Sequence, residues 1–133
     1  MKTFAFLSAA LLLAAGHQAA SAQQPYPTKP IRLISPNPPG GGTTIIGRLV
    51  GQKLTEDWGQ QVILDNRPGG NGFIGGEALA KSSPDGHTLM VITSTFVITP
   101  SLYPPPYDPI KDFAAVATLT KSELVLVVHP SVP

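Results

Sequence analysis

Three short polar segments carry the backbone and hydroxyl groups best suited to bind a ligand in this chain. Two of them are rich in glycine, and each follows an apolar run and precedes a stretch with helical spacing. Free N–H groups at the start of a helix bind anions, and neighbouring hydroxyls add further donors. The candidate ligand-binding residues are Pro39, Gly40, Gly41, Gly42, Thr43 and Thr44 in the first segment, Gly70, Asn71 and Gly72 in the second, and Thr93, Ser94 and Thr95 in the third.

Two other interpretations of the glycine-rich segments stay open from the pattern alone. The segments are equally consistent with tight turns that only connect strands to helices. A phosphate- or nucleotide-binding enzyme is the second alternative, although neither segment continues into the lysine of a G-x-x-x-x-G-K-[ST] loop. A dinucleotide site needs G-x-G-x-x-G directly after the first strand, and Gly40, Gly41 and Gly42 lack that spacing. Asp65 follows Gly42 at roughly the distance of about 20 residues that a dinucleotide site requires, so this alternative is not excluded.

Catalytic and metal-binding side chains are scarce in the sequence. The chain has no cysteine, and His87 and His129 lie in predicted loops without a carboxylate or nucleophile at a spacing that indicates catalysis. Both are therefore predicted to be exposed loop residues. No cluster of His, Asp or Glu has the spacing of metal ligands. The sequence predicts neither a catalytic residue nor a metal site.

Alternating strand and helix patterns must position the three segments. The predicted order is strand 31–34, helix 43–58, strand 61–65, helix 74–81 and strand 88–93. Strands this uniformly apolar are typical of a parallel sheet covered by helices, so the predicted fold class is α/β. Ligands of such sheets bind at the carboxyl ends of the strands, where all three segments are expected to converge.

The first helix and the region after the third strand allow more detailed predictions. The helix has an apolar face with helical spacing, which consists of Ile45, Ile46, Leu49, Val50 and Leu54, and it is expected to end at Gly59. Its glycines, Gly47 and Gly51, would allow a close approach to the sheet. Further elements are predicted as a helix over 94–102 interrupted at Pro100, a packed proline-rich loop over 103–107, a helical turn over 108–113, and strands over 114–119 and 124–128.

Residues 1–22 have the features of a cleavable signal peptide. Lys2 precedes an apolar run, Phe4–Ala15, that is shorter than the about 20 residues a membrane-spanning helix needs. Ala20, Ser21 and Ala22 are the small residues expected at a cleavage site. The chain is therefore predicted to be exported, and removal of Lys2 leaves eight basic and eight acidic side chains. This charge balance argues against nucleic acid as a partner.

Several motifs occur in the order found in one known family. They are Tyr26–Ile34, Pro38–Thr43, Trp58–Val62, Asp65–Gly69, Pro84–Leu89, Pro100–Tyr103, Tyr107–Phe113 and Leu126–Pro133. This ordered set resembles the substrate-binding receptors of tripartite tricarboxylate transporters, also called Bug receptors. The chain departs from the family pattern at Thr44, where the family has Asp, and at Phe73, where it has Asn.

The resemblance implies a two-lobed periplasmic binding protein that is not an enzyme, needs no cofactor and is a monomer when complete. Such a receptor closes over a small organic acid and delivers it to a membrane permease. The resemblance also implies that backbone N–H groups, hydroxyls and ordered water hold the ligand carboxylates in the cleft between the lobes, which carries over onto residues 39–43, 70–72 and 93–95.

The same resemblance predicts how the chain is divided. Residues 23–122 would form the first part of lobe one, and residues 123–133 would begin the strand that crosses toward lobe two. The remainder of the two-lobed receptor would be absent. A truncated remnant without function is the alternative interpretation.

Overall fold

The computed structural model of the chain describes residues 25–123 and 125–131. The predicted signal peptide, residues 1–22, lies outside these ranges, as do Leu124, Val132 and Pro133 of the predicted crossover strand. Among the described residues, no helix combines the length and the apolar character that crossing a bilayer requires.

Three parallel strands form a sheet with the first strand in its centre. They are β1 (Ile31–Ser35), β2 (Val62–Asn66) and β3 (Thr88–Met90), in the order β2-β1-β3. Leu33 of β1 pairs with Leu64 of β2 and with Leu89 of β3. Ile31, Leu33 and Ile34 are all buried, so β1 is covered on both faces, which explains its continuous apolar sequence. The predicted α/β fold with a parallel sheet is confirmed.

Two longer helices and one short helix follow the strands. They are α1 (Gly42–Trp58), α2 (Phe73–Ala80) and α3 (Ser94–Ile98), with 3₁₀ turns at Gly70–Gly72 and Thr99–Ser101. As predicted, α1 ends at Gly59, whose φ of 67° is left-handed and whose N–H donates to the Thr55 carbonyl at 3.0 Å. The predicted helix over 94–102 is divided into α3 and the 3₁₀ turn that contains Pro100.

Small residues form the face of α1 that lies against the sheet. The buried residues of the helix are Thr43, Thr44, Gly47 and Gly51. A Cβ atom added to Gly47 would lie only 2.8 Å from Leu64 Cδ1, so the glycine allows the close approach that the sequence predicts. Of the apolar face predicted for this helix, Ile46, Val50 and Leu54 are half-buried, whereas Ile45 and Leu49 are 56% and 61% exposed. The prediction is wrong for Ile45 and Leu49, because close packing on the sheet leaves no room for large side chains along the line of contact.

The two strands predicted near the end of the described chain are also wrong. Residues 114–119 and 125–128 have no regular secondary structure, and Val116 and Leu126 are 83% and 91% exposed. Their composition is typical of strands, but a strand forms only beside a neighbour that completes its hydrogen bonds. Within the described residues, neither segment pairs with β2 or β3, the two edge strands of the sheet.

An aromatic cluster joins the helices to the proline-rich segment that follows them. Its members are Phe73, Phe96, Tyr107 and Phe113. Tyr107 is buried and contacts the other three rings at centroid distances of 6.1, 5.9 and 5.2 Å. The next residues form the predicted turn, in which the Asp108 carboxylate accepts the N–H groups of Ile110 and Lys111 at 2.9 and 3.0 Å. The predicted packing role of the loop 103–107 holds for Tyr107 only, because Tyr103 is 56% exposed and Pro104 and Pro106 are also exposed.

Candidate ligand-binding site

The segments that follow β1, β2 and β3 meet at one edge of the sheet and surround a depression of about 270 Å³. Its lining consists of Pro36, Asn37, Pro38, Pro68, Gly69, Asn71, Gly72, Thr93, Thr95 and Phe96. The lining residues that the sequence predicts are Asn71, Gly72, Thr93 and Thr95. The predicted residues outside the lining are Pro39, Gly40, Gly41, Gly42, Thr43, Thr44, Gly70 and Ser94. All three loops therefore contribute to one concave surface, although not with every predicted residue.

The loop between β1 and α1 uses the hydroxyl of Thr43 for its own structure. Thr43 is 3% exposed. Its Oγ1 atom lies 2.9 Å from Ser35 Oγ, at the end of β1, and accepts a hydrogen bond from Asn37 Nδ2 at 3.0 Å. These contacts hold the first turn of α1 against the end of the central strand. The hydroxyl is thereby shielded from solvent.

Thr44 has an equivalent internal role in the same loop. It is 1% exposed, and its Oγ1 atom donates to the Pro38 carbonyl at 3.3 Å and accepts from Asn66 Nδ2 at 2.9 Å. Asn66 also donates to the Asn37 carbonyl at 2.9 Å. Asn66, which the sequence analysis does not single out, therefore fastens the end of β2 to the first loop.

Two backbone N–H groups at the start of α1 remain available. Those of Gly42 and Thr43 make no hydrogen bond to any described residue, whereas those of Thr44 and Ile45 donate to the Gly41 carbonyl at 2.9 and 3.1 Å. The free groups lie at the positive end of the macrodipole of a 17-residue helix. The first loop therefore offers its backbone, and not its hydroxyls, to an anion.

The second loop turns through left-handed backbone conformations. Gly69, Gly70 and Gly72 have φ values of 117°, 56° and 93°, and Asn71 between them has 55°. Asparagine tolerates this conformation better than most side chains do. The loop closes through a hydrogen bond from the Gly72 N–H to the Gly69 carbonyl at 3.0 Å. This shape brings the exposed Asn71 to the lining of the depression.

The segment after β3 is the most open of the three. Thr93, Ser94 and Thr95 are exposed, and none of their hydroxyls hydrogen-bonds to a residue in the described ranges. The N–H groups of Ser94 and Thr95 are also free within these ranges, whereas that of Phe96 donates to the Thr93 carbonyl at 3.0 Å. This segment can thus offer hydroxyl and backbone donors together.

Among the described residues that line the depression, none has an ionisable side chain. Arg67 precedes Pro68, but its Nε atom donates to Asp65 Oδ2 at 3.0 Å, and Arg32 Nε donates to the same oxygen at 2.8 Å. Burial raises the pKa of the Asp65 carboxyl, but the hydrogen bonds and charges of Arg32 and Arg67 outweigh it, so the pKa lies below its ordinary value. A ligand in the depression would meet neutral donors.

The histidines lie away from the depression. His87 is 11% exposed, which makes its predicted exposure wrong, because the Tyr26 ring covers it at a centroid distance of 5.0 Å. Its Nδ1 atom lies 3.0 Å from the Asp85 carbonyl oxygen. His129 is exposed as predicted. Within residues 25–123 and 125–131, no three His, Asp or Glu side chains are grouped closely enough to hold a metal ion.

Part of the lining is apolar and was not among the residues predicted from the sequence. Pro36 and Pro68 flank the glycine-rich runs, and Phe96 directly follows Thr95. These apolar side chains carry no hydrogen-bond donor, but they are adjacent in sequence to the predicted polar residues, and that adjacency is the signal that could have identified them. The depression therefore combines neutral donors with apolar surface, as small-molecule sites commonly do.

The family profile described as tripartite tricarboxylate transporter family receptor matches residues 46–133 of the chain. BugT of Bordetella pertussis is 39% identical over 119 residues, which cover 87% of this chain and 36% of BugT. A UPF0065 protein encoded in the tcbD-tcbE intergenic region of Pseudomonas sp. strain P51 is 39% identical over 104 residues, which cover 77% of this chain and 31% of that protein. The comparisons give no support to a phosphate- or nucleotide-binding enzyme.

Solved structures are similar to the chain in both sequence and fold. The periplasmic binding protein BugD is 31% identical with a TM-score of 0.63, over 66% of this chain and 30% of BugD. A Rhodopseudomonas palustris protein solved with adipate is 35% identical with a TM-score of 0.52. The match covers 53% of this chain and 24% of that protein. MatC of the same species, solved with bound malate, is 29% identical with a TM-score of 0.56. The match covers 66% of this chain and 31% of MatC.

The chain spans about a third of the length of the curated relatives that it matches. Over that length, the family profile covers most of the chain, and the parallel sheet with its helices matches periplasmic binding proteins of known structure. The chain belongs to the family of tripartite tricarboxylate transporter receptors.

Proposed function

We propose that the chain acts as a periplasmic receptor that binds a small organic carboxylate without chemical conversion and delivers it to the membrane permease of a tripartite tricarboxylate transporter. The observation that carries this proposal is the depression at the carboxyl ends of the strands, which is lined by Asn71, Thr93 and Thr95 and by no ionisable side chain among the described residues. The loop that supplies Asn37 and Pro38 to the lining continues into the free N–H groups of Gly42 and Thr43 at the start of α1. Membership in the receptor family supports the same conclusion.

Neutral donors suit a receptor that must bind a carboxylate and then release it. A carboxylate has two oxygens that together accept about four hydrogen bonds. The free N–H groups of Gly42 and Thr43 favour an anion because the helix dipole adds to their own polarity. Asn71, Thr93 and Thr95 add side-chain donors at the lining of the depression. Of the predicted residues, 39–44, 70–72 and 93–95, the first group would act through its backbone.

The ligand class follows from the relatives and from the size of the depression. Related receptors were solved with adipate and with malate, which are both dicarboxylates. A volume of about 270 Å³ lies near the lower end of the range for ligand pockets, about 300–1,000 Å³, and suits a ligand of this size. We therefore propose a mono-, di- or tricarboxylate as the ligand.

The cellular context belongs to the same proposal. Cleavage after Ala22 would release the chain into the periplasm, and residues 123–133 would lead toward a second lobe that covers the ligand from the other side. Residues 23–122 would then form the first part of lobe one of a monomeric receptor. N-terminal sequencing of the secreted protein tests the export step, and a chain that retains Met1 would contradict it.

A single substitution tests the binding role of the first loop. Gly42→Pro removes one free N–H at the first position of α1, where proline is well tolerated. Gly41 has φ −73° and ψ 167°, the extended backbone preferred before proline, and a Cβ atom on Gly42 would meet nothing within 4 Å. Because a hydrogen bond to a charged group contributes about 1.5–3 kcal/mol, we expect carboxylate affinity to fall roughly tenfold or more.

The matched control is Gly42→Ala, which adds a Cβ atom and keeps the N–H. NMR titration of the full chain with adipate and malate gives the dissociation constants of both variants, and urea unfolding gives their stabilities. Unchanged affinity in Gly42→Pro with unchanged stability would exclude the start of α1 as a carboxylate site. Failure of the unsubstituted chain to bind any carboxylate of the panel would contradict the proposed function.

A further inference from the structure

The depression has an apolar surface that the capture of a carboxylate group does not by itself require. Pro36, Pro38 and Pro68 contribute rings without polar side-chain atoms or N–H groups, and Phe96 adds an aromatic ring. The polar groups of the lining belong to Asn71, Thr93 and other residues, so donors and carbon surface are supplied separately. A ligand that fills the depression must therefore place part of its body against carbon atoms.

The ring of Phe96 is held in a fixed place by its neighbours. It stacks on Tyr107 at a centroid distance of 5.9 Å with an interplanar angle of 11°, and it meets Phe113 edge-on at 5.3 Å. Such pairs add stability beyond the area that they bury. The hydroxyl of Tyr107 is buried without a hydrogen-bond partner among the described residues, so its ring, and not its hydroxyl, supports Phe96.

We propose, on the basis of the function proposed above, that Phe96 is a specificity-determining residue that selects carboxylates with an apolar carbon body over polyhydroxylated ones. A methylene chain that lies on the Phe96 ring and the prolines leaves water favourably. A hydroxyl at the same place loses its water and finds no acceptor on a phenyl or pyrrolidine ring. The ligand class is thereby narrowed to aliphatic or aromatic mono- and dicarboxylates.

A pair of six-carbon dicarboxylates tests this selectivity. Adipate and galactarate have the same two terminal carboxylates, but galactarate has four hydroxyls where adipate has only hydrogen. Since an apolar pocket discriminates by about 100-fold at most against an isostere with an added hydroxyl, we expect the full chain to bind adipate at least roughly tenfold more tightly than galactarate. Phe96→Gln should lower this ratio at least threefold, whereas Phe96→Leu, which keeps the apolar surface, should preserve most of it.

Phe113→Leu is the control for packing, because Phe113 contacts Phe96 and Tyr107 but does not line the depression. We expect it to lower the unfolding temperature while the adipate-to-galactarate ratio stays unchanged. Equal binding of the two acids by the unsubstituted chain would overturn the role of Phe96 and leave the proposed function intact. Binding of neither acid, nor of any other carboxylate, would overturn the proposed function and this inference with it. If Phe113→Leu lowers the adipate-to-galactarate ratio as much as Phe96→Gln does, the selectivity depends on the packing of the aromatic cluster and not on contact between Phe96 and the ligand, which would overturn the proposal.

Discussion

In the loop after β1 the hydroxyls of Thr43 and Thr44 are buried and hydrogen-bonded, whereas in the segment after β3 the hydroxyls of Thr93 and Thr95 are exposed and free of partners among the described residues. Both pairs of threonines follow a strand of the same sheet and lie at the start of a helix. The difference is that β1 is the central strand, so its loop is enclosed by the ends of its neighbours, while β3 lies at the edge of the described sheet.

This contrast separates two functions that one residue type can have at the same site. The side chains of Thr43 and Thr44 form a frame that fixes the position of the α1 terminus, and Thr93 and Thr95 belong to the ligand-contact surface that we propose. Substitutions of the frame side chains should therefore affect the free energy of unfolding. Substitutions in the proposed contact surface, or of the free N–H groups of α1, should affect ligand affinity.

The largest effect is expected at Asn66, which fastens β2 to the frame. Asn66→Leu removes the donor to the Asn37 carbonyl and to Thr44 Oγ1 and leaves both acceptors enclosed. We expect the free energy of unfolding to fall by about 2–3 kcal/mol, measured by urea denaturation. Asn71→Gly is the matched control, because Asn71 is exposed and its φ of 55° suits glycine. A comparable loss in both variants would contradict the distinction between frame and contact.

Thr44→Val should have the next largest effect. Valine keeps the shape of threonine but loses the Oγ1 atom that joins the Pro38 carbonyl to Asn66 Nδ2. We expect a loss of about 1–2 kcal/mol in the free energy of unfolding, because the two hydrogen bonds of a buried hydroxyl are lost. Thermal unfolding at several urea concentrations would measure it. A stability within error of the unsubstituted chain would mean that the hydroxyl has no structural role.

The same substitution in the third segment should have the opposite signature. Thr95→Val removes an exposed hydroxyl that no described residue uses, so stability should change by less than about 0.5 kcal/mol. Carboxylate affinity should fall roughly tenfold or more, because a hydrogen bond to a charged group contributes about 1.5–3 kcal/mol. Parallel NMR titrations of Thr95→Val and Thr44→Val compare the two loops directly. If Thr95→Val binds as tightly as the unsubstituted chain, the third segment is not part of the contact surface.

The smallest effect concerns pH and again separates the two regions. The pKa of the Asp65 carboxyl is lowered in the folded protein. Its contribution to stability is therefore fully present above the ordinary pKa of about 4, and it is lost as the pH falls through the lower pKa of the folded state. We expect this loss to be below about 1 kcal/mol and to be absent in Asp65→Asn. Unfolding curves between pH 2 and pH 6, about two units either side of the ordinary pKa, would show it.

Binding should not share this pH dependence. No ionisable side chain among the described residues lines the depression, so adipate affinity should be constant wherever the ligand itself is fully ionised. A bell-shaped or sigmoidal dependence of affinity on pH above the ligand's own pKa values would indicate a charged residue at the site and contradict this arrangement.

The fold is predictable from the sequence where local pattern and burial agree. The glycine stop at Gly59 and the turn at Asp108 depend on neighbours close in the chain. The apolar runs of β1 and β2 become strands because they pair with each other in the sheet. The segments 114–119 and 125–128 pair with no strand among the described residues, which their local pattern cannot show. The predicted apolar face of α1 is wrong at Ile45 and Leu49, because the close approach to the sheet, which the sequence predicts from Gly47 and Gly51, leaves these larger side chains exposed.

The candidate site is predictable in its location but not in its chemistry. The convergence of the three loops follows from the parallel sheet alone. Whether a threonine hydroxyl turns inward depends on Asn37 and Asn66, whose positions are set by the tertiary structure. The apolar lining depends on Phe96, which the aromatic cluster orients through Tyr107, eleven residues further along the chain.

The glycine contact between α1 and the sheet has an evolutionary consequence. Buried large apolar residues usually tolerate exchange for one another, and exposed positions vary freely. On α1, Gly47 and Gly51 occupy the contact line, while Ile45 and Leu49 are largely exposed. Selection should therefore purge most substitutions of the two glycines while Ile45 and Leu49 drift, so that in an alignment of this lineage the smallest side chains of the helix would be its most invariant ones.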